Sequence, residues 1–543
     1  MISNPSLTIK SWTGFLRTNQ KELGFLLVDS ISATKAAASP RLGASQVFFI
    51  QRRVIMYRPS LNEAKEIAAA YKMIPVSREI YSDVRTPMEV LKILKNVSRH
   101  CFILESLEST EKWGRYTFLG FDPKLELTCT NGVIDINSGT EIIVNTKHPR
   151  EYIQQILDEN KSPRFDYLPP FTGGLVGYFS YDYIKYNEPS LKLDAEDQEG
   201  FKDVDLMLFD KVIAFDHLKQ KIILIANVKT EELDSGYNKA VMEIESMVKL
   251  IKHGAYQETQ PTKITSEFRS LFKENEYCDM VNKAKHYIRE GDIFQIVLSN
   301  RFEADFEGSL LNAYRVLRTL NPSPYMFYIS SDELEIAGAS PETLVKLQNG
   351  SLYTFPLAGT KPRGKTDEED LQNEKDLISD PKELAEHNML VDLGRNDLGR
   401  ISRFGTVKVE KYLSIERFSH VMHIGSTVRG EIRDDKNALD ALDAVLPAGT
   451  LSGAPKIRAC EIINELENNK RGINGGAIGY IDFTGNLDTC IAIRIAFKKN
   501  GKVFVRSGAG IVADSVPENE YQECINKAQG VMDALKLSEE GID

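Results

Sequence analysis

Cysteine is scarce and scattered in this chain. The six residues (Cys101, Cys129, Cys278, Cys460, Cys490 and Cys524) form no CxxC pair. That usage suits a reducing compartment and argues against a zinc site or a disulfide scaffold. No uninterrupted apolar run is long enough to span a bilayer, so no membrane partner is expected. Basic blocks are missing as well, and the formal net charge is −11. Binding of nucleic acid or of an anionic membrane by bulk charge is therefore not expected. There is no internal repeat. What is present, 42% hydrophobic and 27% charged residues over 543 positions, describes a globular protein that can bury a large core. Two or three domains, or one large composite one, would accommodate it.

Residues 1–55 differ from the rest. They hold seven Lys and Arg, with only Glu22 and Asp29 as acids, and many Ser and Ala. Acid-poor, Ser-rich composition fits an organellar transit peptide. The alternative, favoured because no Arg-rich amphipathic helix stands out, is that translation begins at Met56, which leaves a cytoplasmic chain. From Met56 the pattern predicts helices over 61–71 and 87–97, the second N-capped by Thr86. Strands are predicted over 101–105, 116–120, 125–130, 133–136, 204–209, 211–216 and 222–226, and a helix over 237–252. The polar stretch 253–266 is the candidate boundary between an N-terminal part, 56–260, and a second part, 267–543. In the second part helices alternate with strands that neighbour one another in sequence. This predicts an α+β fold with large antiparallel sheets flanked by helices, not a βαβ repeat.

Two acidic segments stand out. In Asp380-Pro-Lys-Glu-Leu-Ala-Glu-His, Asp380 can N-cap a helix and Pro381 opens it. Glu383, Glu386 and His387 then share a face, with Leu384 and Val391 among the apolar neighbours. Two carboxylates side by side on a buried face repel and need protons, basic partners or a metal; a solvated acidic face is the alternative. Near the C-terminus, Ser515 with Glu518 reads as a capping box and Pro517 as a helix start. Glu520 and Glu523 repeat the i, i+3 pairing, followed by Lys527. Two short helices each offering paired carboxylates suit a hard divalent cation. Oxygen-only ligands favour Mg²⁺, which keeps waters and recruits an anionic substrate.

Other candidates concern anions and protons. Ser507-Gly-Ala-Gly510 follows a strand predicted over 502–506 and reads as an anion nest or an ordinary tight turn. Arg494, in a strand predicted over 490–497, needs an anionic partner, from a ligand or from a structural carboxylate. His420 and His423 lie three apart, and a satisfied core histidine is the alternative for each. Thr450 sits in a Gly- and Pro-rich loop, 446–456. Residues 359–366 match the phosphate-loop pattern GxxxxGK[ST]. However, Asp367-Glu-Glu-Asp370 would repel a triphosphate at the helix start and Pro362 removes a donor, so nucleotide binding is not expected.

The motifs Gly338-Ala-Ser-Pro-Glu, Phe355-Pro-Leu-Ala-Gly-Thr-Lys-Pro-Arg-Gly, Asp380-Pro-Lys-Glu-Leu-Ala-Glu-His with Val391-Asp-Leu-Gly-Arg-Asn-Asp, Pro447-Ala-Gly-Thr with Gly453-Ala-Pro-Lys, and Val512-Ala-Asp-Ser-Val-Pro-Glu occur in order. In these the chain, from about Met56 to its end, resembles the chorismate-utilising enzymes, and within them the large subunits (component I) of anthranilate synthases. The resemblance implies a composite antiparallel β-sandwich flanked by helices. It implies a lyase that turns chorismate and ammonia into anthranilate and pyruvate, the first step of tryptophan biosynthesis, with Mg²⁺ as cofactor. Carried over by position, Glu386 and Glu523 are the metal ligands, with Glu383 and Glu520 as water-bridged neighbours. Glu342 is the general acid for the departing C4 hydroxyl, His423 serves the elimination, and Thr450 joins this catalytic set. Gly359, Thr360, Asn474, Arg494, Gly508, Ala509, Gly510 and Lys527 fall at substrate-binding positions, although Asn474 stands where many relatives have tyrosine.

Sister activities are separated at two positions. Relatives that add water carry a lysine where this chain has Gln295, and the aminodeoxychorismate branch carries one at Ala358. Isochorismate synthase and aminodeoxychorismate synthase component I are therefore the weaker alternatives. Leu104-Glu-Ser106 and Asn321-Pro-Ser-Pro-Tyr-Met-Phe327 resemble the family's feedback pocket, so Ser106, Arg115, Pro324, Tyr325 and Met326 are expected to bind L-tryptophan as an allosteric inhibitor. No cysteine carries a local nucleophile signature of the kind a glutaminase needs. Ammonia is then expected from a separate glutamine amidotransferase subunit (component II), in a heterotetramer of two large and two small subunits.

Overall fold

The computed structural model describes residues 56–106, 114–256, 259–417 and 421–541. The N-terminal stretch 1–55 and His420 lie outside the described residues. Among those described, the strands form two large antiparallel sheets, one of 13 strands and one of 12. Strands from both parts of the chain enter each sheet. Cys101–Glu105 pairs with Tyr325–Ser330 in the first sheet, and Gly174–Phe179 pairs with Ala477–Asp482 in the second. The stretch 253–266 is thus not a division between two cores. Hydrogen-bonded ladders run across the expected boundary, and residues 55–543 form a single compact unit.

The layering follows from side-chain alternation along the strands. In Lys221–Lys229, Ile222, Leu224, Ala226 and Val228 face helices on the outer side of the first sheet. Ile223 and Ile225 of the same strand point inward, into a core that the two sheets share. Phe102, Phe327, Phe497 and Phe504 enter that core from the first sheet, and Val176, Tyr178, Phe209 and Tyr480 from the second. The outer face of the second sheet packs on helices Pro149–Asp158, Pro381–Gly399 and Ala438–Val445. The result is the expected α+β sandwich with helices outside both sheets. With both faces covered, strands such as Lys211–Asp216 are buried throughout, which is why they read as continuous apolar runs.

Helix Pro87–Val97 starts with the reciprocal Thr86–Glu89 capping box. The helix predicted over 61–71 ends at Ile67 and continues as a 3₁₀ turn, Ala68–Ala70. Helix Leu233–His253 is longer than predicted by several residues. None of the described helices is long and apolar enough to cross a membrane.

Candidate active site

Glu342 and Arg494 both sit where the chain passes from one sheet to the other. Glu342 joins Glu335–Ser340 of the first sheet to Thr343–Gln348 of the second. Arg494 joins Leu487–Ile491 of the second to Ile495–Lys499 of the first. The strand predicted over 490–497 is therefore broken in two, and Arg494 takes φ +55° at the break. The crossings are fastened together. The Ile491 N–H donates to Glu342 O at 2.9 Å, the Ala339 N–H to Arg494 O at 3.1 Å, and the Ser340 hydroxyl to Ile491 O at 2.7 Å.

The Glu342 carboxyl accepts the Thr450 hydroxyl at 3.2 and 3.3 Å to its two oxygens. Burial pushes its pKa up to about 8, against the opposing pull of the Thr450 hydrogen bond and the Lys527 charge. It is therefore a protonated acid at neutral pH. Arg494 donates to Lys527 O at 2.6 Å and has no ion pair with a described carboxylate. Burial lowers its pKa, opposed by the charge of Glu523. A half-buried guanidinium in this state is a receptor for an anion. The Thr450 loop is held from below by two side chains that the sequence reading did not assign. Lys456 donates to Asp397 at 2.9 Å and to Val445 O at 2.8 Å. Arg471, buried against Glu467, donates to Leu451 O at 2.6 Å. Lys456 lies inside a quoted motif, but only the fold shows what it reaches.

His423 lies on strand Val421–Glu431 with Nδ1 2.7 Å from Gly359 O and 3.1 Å from the Thr360 hydroxyl. The carbonyl acceptor places the ring proton on Nδ1. Burial and the Arg494 charge keep the pKa low, so the ring is neutral. Gly359 has φ +65°, and a Cβ there would meet Leu377 Cδ1 at 2.9 Å and Glu383 Oε2 at 3.0 Å. Glycine is thus needed on both counts, and it brings His423 next to the acidic helix.

The two acidic helices, Pro381–Gly399 and Pro517–Leu537, converge. The pKa of Glu383 is raised by burial and then by like charges, including Glu523 on the other helix. Glu520 is raised by burial and by Glu523, and feels Lys382 from the first helix. Glu386 makes no hydrogen bond or ion pair with a described residue, and Glu523 pairs with Lys527 at 2.5 Å. No three ligating His, Cys, Asp or Glu side chains close on one point among the described residues. Four neighbouring carboxylates, of which only Glu523 has an ion pair among the described residues, nevertheless fit a hard cation that is held by one or two of them and keeps its waters.

Several expectations are corrected here. His387 turns from the carboxylates into the core: it lies about 100° round the helix from Glu386 and is fully buried. Its Nε2 is 2.7 Å from the Ser426 hydroxyl, and burial takes its pKa down to about 4. The Ser515–Glu518 capping box does not form; Val516 is the N-cap, and the Ser515 hydroxyl accepts from the Val512 N–H at 3.1 Å. Gly508, Ala509 and Gly510 form no nest, because strand Lys502–Ile511 runs on through them, paired with Val297–Ser299. Small residues are needed there for close packing: a Cβ at 508 would lie 2.6 Å from Leu298 O, and one at 510 lies 2.9 Å from Gln295 Nε2. Lys527 reaches Gly508 O at 3.3 Å, which leaves this strand beside the site. Asn474 is buried, donating to Arg506 O at 2.9 Å, with its Oδ1 unpartnered. In the phosphate-loop lookalike, the Gly364 N–H donates to Asp370 and the Lys365 N–H to Glu369, each at 2.8 Å. The helix's own carboxylates stand where phosphate would.

A separate cavity of about 390 Å³ is lined by all five residues of the expected feedback pocket, Ser106, Arg115, Pro324, Tyr325 and Met326. The Ser106 hydroxyl is buried there without a partner among the described residues. Arg115 makes a two-pronged contact with Asp216 at 3.2 and 2.9 Å.

The family model for chorismate-binding enzymes matches residues 99–533. Anthranilate synthase component 1 of Acetivibrio thermocellus is 47% identical over 491 residues, covering 89% of this chain and 99% of the relative. That of Aquifex aeolicus is 44% identical over 486 residues, covering 89% and 98%. The crystal structure of anthranilate synthase component I from Streptococcus pneumoniae superposes with TM-score 0.70 at 37% identity, covering 83% of this chain and 98% of that one. The menaquinone-specific isochorismate synthase of Escherichia coli shares the fold at 18% identity and TM-score 0.63. With the family match spanning most of its length, the chain belongs to the chorismate-binding enzymes.

Proposed function

We propose that the chain converts chorismate and ammonia to anthranilate, pyruvate and water. The observation that carries this reading is the protonated Glu342 on a sheet crossing whose partner crossing carries Arg494, a cation with no ion pair among the described residues. Arg494 and Lys527 bind a carboxylate of chorismate and orient the ring. Ammonia adds at C2, the ring double bonds shift, and the C4 hydroxyl departs with the Glu342 proton as water. Loss of the C2 proton and of the C3 enolpyruvyl group then yields the aromatic ring and pyruvate. His423, neutral and fixed with its proton on Nδ1, serves this elimination. Thr450 orients the Glu342 carboxyl by its hydrogen bond. Glu386 and Glu523, with Glu383 and Glu520 behind them, would hold Mg²⁺, which supplies Lewis-acid polarisation of the bound ring carboxylate.

Gln295 and Ala358 favour amination at C2 over its neighbours. A glutamine cannot activate water as a lysine base would, and an alanine offers no covalent capture of the ring. The cavity at Ser106, Tyr325 and Met326 is read as the seat of L-tryptophan, with apolar and aromatic walls for the indole. Ammonia is read as coming from a glutamine amidotransferase partner. The test is incubation with chorismate, Mg²⁺ and ammonium while anthranilate fluorescence is followed. Appearance of anthranilate is expected; isochorismate or 4-amino-4-deoxychorismate as the product would overturn the proposal.

A further inference from the structure

The cavity and the active site are built from the same two stretches of chain. On the cavity side, the Tyr325 hydroxyl donates to Asp488 Oδ1 at 2.8 Å and lies 3.0 Å from the Thr343 hydroxyl. Tyr325 is paired in the sheet with Ser340, the residue whose hydroxyl fastens the crossings at Ile491 O. On the active-site side, Thr343 follows Glu342 directly, and Asp488 lies on strand Leu487–Ile491, which leads to Arg494. The pairing between these strands has an irregularity between Thr343 and Val345, where the ladder of hydrogen bonds is locally interrupted. A ligand seated against Tyr325 thus touches a residue hydrogen-bonded to Thr343, one position from the general acid, beside the strand that leads to the anion anchor.

We infer that Thr343 is a positioning residue through which occupancy of the cavity is relayed to Glu342 and Arg494. The inference rests on the reading of the cavity as the tryptophan site. A ligand that disturbs the Tyr325–Thr343 pair moves the start of strand Thr343–Gln348, and with it the carboxyl that meets Thr450. By linkage the effect is reciprocal: chorismate must weaken tryptophan binding by the factor by which tryptophan weakens chorismate binding.

This is tested by binding alone. L-tryptophan is titrated calorimetrically into the full chain with Mg²⁺, with and without chorismate, and with no ammonium so that no turnover occurs. In the wild type, chorismate should weaken tryptophan binding by about fivefold or more, the lower end of ordinary coupling. Thr343→Ser keeps the hydroxyl and should keep that ratio. Thr343→Val should bind tryptophan within about threefold of wild type, because Thr343 does not line the cavity, yet the ratio should fall below about twofold. Tyr325→Phe breaks the same pair from the other side and should also lose the ratio. A wild-type ratio in Thr343→Val or Tyr325→Phe, or no effect of chorismate on the wild type, would overturn the relay. No tryptophan binding to the wild type would instead overturn the reading of the cavity, and the relay with it.

Discussion

Glu342 concentrates the chemistry at the scale of single residues. Its pKa, raised by burial to about 8, has consequences for rate and for stability. At chorismate concentrations well below saturation, where the free enzyme's acid is read, the rate divided by the free ammonia concentration should be level below pH 8 and fall about tenfold per pH unit above it. Glu342→Gln should lower that rate by about 10²-fold or more and remove the pH step, read from anthranilate fluorescence. For stability the sign runs the other way from a paired carboxylate. The folded chain favours the protonated form, so the stabilisation is complete below the unfolded value near ~4.3 and is lost as pH rises through the folded pKa. Glu342→Gln should therefore melt higher than the wild type at pH 9 and show almost no such gain at pH 5, by scanning calorimetry. A gain of equal size at both pH values would contradict the buried-acid assignment.

Helices and strands decide where the carboxylates meet. Gly359 presses strand Leu357–Pro362 onto Glu383 of the acidic helix. Gly359→Ala adds a methyl group where φ is +65° and Glu383 Oε2 stands 3.0 Å away. A cost of about 1–2 kcal/mol in stability is expected from the backbone strain alone. The Mg²⁺ concentration for half-maximal rate should rise about tenfold, as when a metal site loses an orienting neighbour. Glu386→Gln should abolish Mg²⁺-dependent turnover while tryptophan binding, measured by calorimetry, stays within about twofold, because the cavity is built from other strands. The acidic helix was legible because its cap and its i, i+3 spacing are local: Asp380 does accept from the Lys382 and Glu383 N–H groups. The Ser515 box and the glycine nest were misread because the same residue types serve a strand and a loop once neighbouring segments supply the hydrogen bonds.

The whole molecule explains why the cavity and the acidic-helix site do not lie on separate bodies. Both sheets draw strands from either side of residue 260, so the cavity and the site are two faces of one pair of crossings. None of the described cysteines stands as a glutaminase nucleophile: burial raises Cys101, Cys129, Cys460, Cys490 and Cys524, and Cys278 is raised as well. A raised thiol is a poor nucleophile at neutral pH. The purified chain should accordingly make anthranilate from ammonium salts at raised pH and none from glutamine, scored by fluorescence. Glutamine-dependent product from the chain alone would sink the assignment of ammonia supply to a partner.

By itself the sequence determined the α+β class, most element positions, and the residue types of the site, because periodicity, caps and turn residues act over a few positions. The same motifs led to the chorismate-binding family, since their order along the chain survives without knowledge of the fold. Only the tertiary structure decided that the two acidic helices converge, that Glu342 and Arg494 sit on paired sheet crossings, and that His387 faces the core. It alone joined Lys456 and Arg471 to the Thr450 loop and placed Thr343 between the cavity and Glu342. These facts depend on strand register and on contacts between residues more than a hundred positions apart, such as Thr450 with Glu342. Local pattern carries no term for such contacts; packing of the two sheets creates them.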